Sequence, residues 1–123
     1  MTQARILYVD DEDDIREVAA LALELDPGLA VRTCESGTDA LAAAADWQPD
    51  LILLDVMMPH MDGPTTLARL RDTPATAGIP VVFITARTQA SEVEQFKALG
   101  ALGVLAKPFD PMTLSATIRS YLP

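Results

Sequence analysis

Cysteine occurs once in this chain, at Cys34, so no internal disulfide can form and the fold has to rest on a hydrophobic core. That usage fits a reducing compartment. Positive charge is scarce too: nine Lys and Arg stand against 18 Asp and Glu, a formal net charge of −9. A field of that sign repels phosphate backbones and anionic bilayers, so neither direct nucleic-acid binding nor a membrane-surface role is expected. No apolar run approaches the ~20 residues that a membrane-spanning helix needs. At the amino end Arg5 precedes only Ile6-Leu7-Tyr8-Val9 before acidic residues begin, too little for the apolar region of a secretory signal. The six glycines form no phosphate-cradling loop, which removes support for a nucleotide-binding enzyme. A soluble cytoplasmic domain is the expectation.

Apolar residues, in contrast, make up 50% of the 123, enough to bury one core and too many for long disorder. No repeat, low-complexity tract or linker interrupts the chain, so a single domain over residues 1–123 is expected. The stretch around which it is organised is Leu51-Ile52-Leu53-Leu54-Asp55, bounded by Pro49-Asp50 and by Pro59-His60. Four consecutive aliphatic residues between breakers read as a strand buried on both faces, and Asp55 is the charge at its carboxyl end. Ile6 to Val9 forms a similar strand ending in Asp10 and Asp11. Val81 to Ile84 forms a third, ending in Thr85 and Ala86. Leu29 to Cys34, interrupted by Arg32 and Thr33, suits a sheet edge, and Leu102 to Ala106 is a fifth strand that runs into Lys107-Pro108-Phe109.

Between the strands the apolar spacing turns helical. Ile15, Val18, Ala19, Ala22 and Leu25 fall at i, i+3, i+4, i+7 and i+10, and Pro27-Gly28 stops that helix. Ser36 or Gly37 opens an alanine-rich helix running to about Asp46. Pro64 begins a helix with Leu67 and Leu70; Val93, Phe96 and Leu99 mark a fourth, closed by Gly100. Asp110-Pro111 reads as the start of a last helix whose buried face is Leu114, Ile118, Tyr121 and Leu122. Five strands alternating with five helices through short linkers predict a doubly wound parallel α/β sheet.

In such a sheet the carboxyl edge gathers the chemistry. Asp10, Asp11, Asp55, Thr85 and Lys107 all stand at strand ends and would converge there. Crowded carboxylates stay ionised only with a cation among them, and hard oxygens without a His or Cys cluster select Mg²⁺. A Mg²⁺ site with a poised Asp, a Lys and a Thr hydroxyl is a phosphoryl-transfer site, with Asp55 the nucleophile that becomes an acyl phosphate. Glu12, Asp13 and Asp14 have a structural explanation, as first-turn acids complementing a helix dipole. His60 is expected in a polar loop without a ligand role, Cys34 on an edge strand, Trp47 and Tyr121 as partial core covers, and Met57, Met58 and Met61 in loop packing.

Val9-Asp10-Asp11-Glu12, Leu54-Asp55-Val56-Met57-Met58-Pro59 with Asp62-Gly63, Ile84-Thr85-Ala86 and Lys107-Pro108-Phe109, in that order, make the chain resemble the response-regulator receiver domains of two-component signalling. The likeness covers essentially all 123 residues and implies a flavodoxin-like fold with strand order 2-1-3-4-5. It implies that Asp55 accepts a phosphoryl group from a phosphohistidine on a sensor histidine kinase or phosphotransfer protein. Asp11, Asp55 and the Met57 carbonyl would bind Mg²⁺, with Asp10 acting through water. Lys107, Thr85 and the Ala86 N–H would hold the phosphoryl oxygens, and the Lys107-Pro108 peptide would be cis. Closure would change how the face of the fourth helix, fifth strand and fifth helix meets a downstream protein, as a monomer or a weak phosphorylation-dependent dimer. Such a domain is not an enzyme toward external substrates; it catalyses only its own phosphorylation and dephosphorylation.

Three positions depart from or vary within that pattern. Val104 stands three residues before the lysine, where the family usually has Tyr or Phe, so an inward-swinging ring cannot be the switch. Met57 and Arg87, two residues past Asp55 and Thr85, occupy places that tune the access of water to the acyl phosphate. Two rivals remain: a degenerate receiver that serves only as a docking module, and a haloacid-dehalogenase-type phosphatase. The latter wants a second Asp where Met57 stands. With Leu122-Pro123 at its end, the chain would be a stand-alone receiver or one cut from a hybrid kinase or longer regulator.

Overall fold

The computed structural model describes residues 3–122. Residues 1, 2 and 123 of the expected domain lie outside them. Five strands, β1 (Ala4–Val9), β2 (Leu29–Cys34), β3 (Leu51–Asp55), β4 (Val81–Thr85) and β5 (Gly103–Ala106), form one sheet in the order β2-β1-β3-β4-β5. Every pairing is parallel. The helices between and after them are α1 (Asp13–Glu24), α2 (Gly37–Trp47), α3 (Gly63–Asp72), α4 (Ala90–Ala98) and α5 (Leu114–Arg119). This is the expected flavodoxin-like α/β fold.

Side chains alternate across a strand, so the apolar runs supply two cores at once. Leu7, Val9, Ile52, Leu54, Val81 and Phe83 face Ala40 and Ala44 of α2 and Leu67 and Leu70 of α3, with Phe96 of α4 packed against them. Ile6, Tyr8, Leu51, Leu53, Val82 and Ile84 face Ala19, Ala22 and Leu23 of α1 and Leu114 and Ile118 of α5. β3 and β4 are buried along their whole length. Each fully buried Leu, Ile or Phe stabilises by roughly 1.5–3 kcal/mol, so the middle of the sheet is the rigid part of the molecule.

Register then fixes the functional edge. Val9 lies beside Leu54, Asp55 beside Ile84, and Thr85 beside Ala106. The residues that follow or end these strands, Asp10, Asp55, Thr85 and Lys107, therefore meet at one rim. Two helix starts are pinned nearby: Ser36 Oγ accepts the Asp39 N–H at 3.1 Å, and Asp62 Oδ1 accepts the Thr65 N–H at 2.8 Å, ahead of Pro64. Such caps contribute about 1 kcal/mol each.

Several expectations about the helices need correction. On α1 the buried stripe runs through Ala19, Ala22 and Leu23, with Ile15 half-buried, while Val18 is 43% and Leu25 76% exposed. Apolar residues occur all round this helix, so spacing alone did not say which arc faces the sheet. Leu99 ends α4 in solvent, and α4 has no fully buried residue. Leu102 is exposed and β5 starts one residue later, at Gly103. The Asp110-Pro111 signal makes a turn: the Asp110 carboxylate accepts the Met112 N–H at 2.9 Å and its carbonyl the Thr113 N–H, and α5 begins only at Leu114. Met58 is the methionine that packs into the core, whereas Met57 is 77% exposed. Trp47 covers a core edge as expected, with the guanidinium groups of Arg5 and Arg32 over its ring at 5.7 Å and 4.8 Å from the centroid.

Gly63, at the start of α3, permits the close approach of the loop after β3. A Cβ there would stand 2.6 Å from the Asp55 carbonyl oxygen and 2.9 Å from Val56 Cα, both backbone atoms. At Gly78 a Cβ would meet nothing within 4 Å. Gly63→Ala is expected to lower stability in urea unfolding by about 1–3 kcal/mol, and Gly78→Ala to leave it unchanged or raise it by up to ~1 kcal/mol.

Candidate functional site

The rim of the sheet gathers carboxylates that the core forbids to solvate. Asp10 follows β1 and is fully buried; Asp55 ends β3 and is 3% exposed. Asp11 sits outside them in solvent. One oxygen from each of the three lies within 4.8 Å of the others. Asp10 is held from several sides: its Oδ2 accepts the Tyr8 hydroxyl at 3.1 Å, and its Oδ1 accepts the Glu12 N–H at 3.0 Å. Burial, reinforced by the Asp10 charge, drives the Tyr8 phenol far above its ordinary range, so it remains a donor.

Lys107 enters from the end of β5, where its N–H donates to the Thr85 carbonyl at 2.9 Å and the Lys107-Pro108 peptide is cis, as expected. Its Nζ stands 3.0 Å from Glu12 Oε1, 3.1 Å from Asp10 Oδ2 and 3.4 Å from Asp55 Oδ2. Burial acts to lower the ammonium, but hydrogen bonds to Glu12 and Asp10 outweigh it and hold the group above the usual lysine range. Burial, then the Asp10 charge, pushes the Asp55 carboxyl up from 3.8 to about 7, against the pull of Lys107.

Thr85 ends β4, buried, and its Oγ1 accepts the Arg87 N–H at 3.0 Å. It does not cap α4, whose N-cap Gln89 has no side-chain partner. The Thr85 hydroxyl thus keeps its proton free to donate. In front of it a cleft of about 700 Å³ is lined by Val56, Met57, Ala86, Arg87, Glu92 and Phe96. Val104 is half-buried opposite Phe83 on the edge strand. His60 is exposed with a φ of 69°, and Cys34 is half-buried on the edge strand, both as expected.

The rim therefore holds one ammonium against Asp10, Asp55 and Glu12, with Asp11 beside them. All donors are hard oxygens, and among the described residues no His or Cys joins the group. That charge deficit and donor set fit a small divalent cation. Two participants escaped the sequence reasoning. Tyr8 precedes Asp10 by two residues, hence lies on the same strand face, and that spacing was the available signal. The rule for first-turn acids gives Glu12 to the helix dipole; it is the N-cap of α1 but makes no side-chain cap, and its carboxylate goes to Lys107. Asp13 and Asp14 do lie in the first turn.

An open five-stranded parallel sheet with an acidic pocket at its carboxyl edge defines the flavodoxin-like class of doubly wound domains. Within it the chain belongs to the response regulator receiver domain family, whose profile matches residues 6–119. It is 40% identical over 120 residues to the transcriptional regulatory protein CseB of Streptomyces avermitilis, covering 98% of this chain and 49% of that protein. It is 47% identical over 119 residues to the response regulator PleD of Caulobacter vibrioides, covering 95% of this chain and 26% of PleD. The chain thus spans half or less of the length of these curated relatives. The structure of the Vibrio cholerae chemotaxis response regulator CheY4 superposes with a TM-score of 0.90 at 36% identity, covering 98% of this chain and all of that one. Receiver domains of this family act in two-component systems as signalling switches. Among the described residues no helix is long and apolar enough to cross a membrane.

In the metal-free protein Asp55 keeps its proton between 3.8 and about 7, where the unfolded chain has lost it. The folded state binds more protons in that window, so stability falls as pH rises through it and the loss is complete above about pH 7. Asp55→Asn is expected to be more stable than the natural chain by about 1–3 kcal/mol at pH 8 and equal to it near pH 4, in urea unfolding with EDTA present.

Proposed function

We propose that this chain is a phosphorylation-switched signalling domain in which Asp55 accepts a phosphoryl group from a phosphohistidine on a histidine kinase or phosphotransfer protein. The observation that carries the reading is the pairing of two buried carboxylates, Asp10 and Asp55, with a single shared ammonium, Lys107. A structural ion pair would balance its charges; this one, once Asp55 is ionised, leaves negative charge uncompensated in a buried place. Such an imbalance is expected where a cation and a charged substrate complete the site.

Asp55, Asp11 and the Met57 carbonyl would hold Mg²⁺ directly, with Asp10 acting through water. When bound, Mg²⁺ supplies the positive charge that keeps the carboxylates ionised and screens the phosphoryl oxygens. An Asp55 oxygen attacks phosphorus, the N–P bond of the donor breaks, and the imidazole leaves with its electron pair and takes a proton from solvent. Lys107 Nζ lies within reach of Asp55 and donates to a phosphoryl oxygen. Thr85, oriented by the Arg87 N–H, donates its free hydroxyl proton to another, joined by the Ala86 N–H.

Closure onto the phosphoryl group moves the segment after β4, and the cleft in front of Thr85 gives it room. Glu92 Oε2 lies buried in that region without a hydrogen-bond partner among the described residues, and α4 is lightly buried, so this side rearranges at low cost. With Val104 in place of a ring, the response travels through backbone and helix shifts to the face of α4, β5 and α5, where a downstream protein binds. Met57 and Arg87 flank the path of attacking water and set the acyl-phosphate lifetime. A phosphatase of the haloacid-dehalogenase type is disfavoured because Met57 replaces the acid its chemistry needs.

Intact-protein mass after acetyl phosphate treatment should rise by one phosphoryl group, only with Mg²⁺, and not in Asp55→Asn. No gain in a folded sample would leave a phosphorylation-independent docking module as the account. Met57→Asn is expected to change the hydrolysis rate of the acyl phosphate severalfold; an unchanged rate would remove Met57 from that role.

A further inference from the structure

Lys107 has three carboxylate partners, and they differ in what they are free to do. Asp10 is fully buried and tied by Tyr8 and by the Glu12 N–H, so it cannot leave. Asp55 is the reacting group, and its oxygen is the farthest of the three from Nζ, at 3.4 Å against 3.1 Å for Asp10 and 3.0 Å for Glu12. Glu12 alone stands at the water's edge, its side chain 58% exposed. It occupies the N-cap of α1, where a shorter acid would turn its oxygen onto the helix N–H groups; here no such bond forms. Glutamate's extra methylene takes the carboxylate across to the ammonium. Its backbone N–H meanwhile fixes Asp10, so one residue orients both groups that flank Asp55.

We infer that Glu12 is a positioning residue, a releasable latch that draws Lys107 off Asp55 in the resting protein and yields it to the incoming phosphoryl oxygens. The inference rests on the phosphoryl-acceptor reading of Asp55. Its logic is competition: the ammonium must leave Glu12 to serve the phosphoryl group, and an exposed carboxylate returns to water at little cost. The latch needs reach as well as charge, which separates it from a bystander anion. Glu12→Asp keeps the charge and loses the reach.

The chain has two lysines, Lys97 and Lys107, so the ammonium resonance of Lys107 is readily assigned in a ¹⁵N spectrum. In metal-free protein Glu12→Asp is expected to shift that resonance. With saturating Mg²⁺ the same substitution should tighten beryllofluoride, a phosphoryl mimic, about threefold, the size of one exposed ion pair. Glu12→Gln, which keeps reach and loses charge, should change both in the same direction. An unmoved resonance in Glu12→Asp, or a shifted resonance with unchanged beryllofluoride affinity, would overturn the latch. If the natural chain binds no beryllofluoride while Glu12→Asp still shifts the resonance, the phosphoryl-acceptor reading fails and the resting Glu12–Lys107 pair stands.

Discussion

Two carboxylates side by side in a place water cannot reach are the constraint on which the rest of this structure depends. Asp10 follows β1 and Asp55 ends β3, adjacent strands whose long apolar residues are wholly buried, and neither strand can move without breaking a core. Their mutual repulsion therefore has to be met locally. Tyr8, the Glu12 N–H and Lys107 meet part of it; among the described residues Lys107 is the cation bonded to both carboxylates, while the Arg16 guanidinium reaches only the Asp10 backbone carbonyl, at 2.8 Å. The remaining deficit makes the rim receptive to a cation and to an anionic group arriving with it. A more comfortable site, with a second lysine, would be more stable and less responsive.

The scaffold divides into a part that holds and a part that yields. β1, β3 and β4 carry long buried side chains on both faces, and Gly63 lets the loop after β3 press directly on the Asp55 backbone. The far edge is lighter: β5 is four residues long and only partly buried, α4 has no fully buried residue, and α5 is short. Thr85 and Lys107 join the two parts, since the Lys107 N–H bonds the Thr85 carbonyl while the Lys107 ammonium reaches Asp10 and Asp55. The rigid centre and the lightly packed edge are thereby coupled through one backbone hydrogen bond.

Much of this was legible because the buried strands are written as uninterrupted apolar runs between Pro, Gly and Asp. Leu51 to Asp55 and Val81 to Thr85 could be read almost to the residue. Helices were harder for a stated reason: α1 and its C-cap carry Val18, Leu21 and Leu25 as well as Ala19, Ala22 and Leu23, and apolar residues on every side leave the buried arc undetermined. At Asp110-Pro111 a strong local helix-start signal lost to an Asx-type turn, and α5 began a turn later. The Glu12 carboxylate was read by the local rule for first-turn acids, which takes no account of a lysine 95 residues away.

By itself, then, the sequence determined which segments are strands, which residues stand at their carboxyl ends, and hence that Asp10, Asp11, Asp55, Thr85 and Lys107 share one rim. Periodicity and parallel-sheet topology suffice for that, because both are local or combinatorial rules. Only the tertiary structure decided how charge is apportioned there: that Asp10 is sealed in and Asp11 left in water, that Tyr8 donates to Asp10, and that Lys107 lies closer to Glu12 than to Asp55. Those outcomes depend on desolvation and on distances of a few tenths of an ångström between residues far apart in the chain, and no pattern within one segment encodes them.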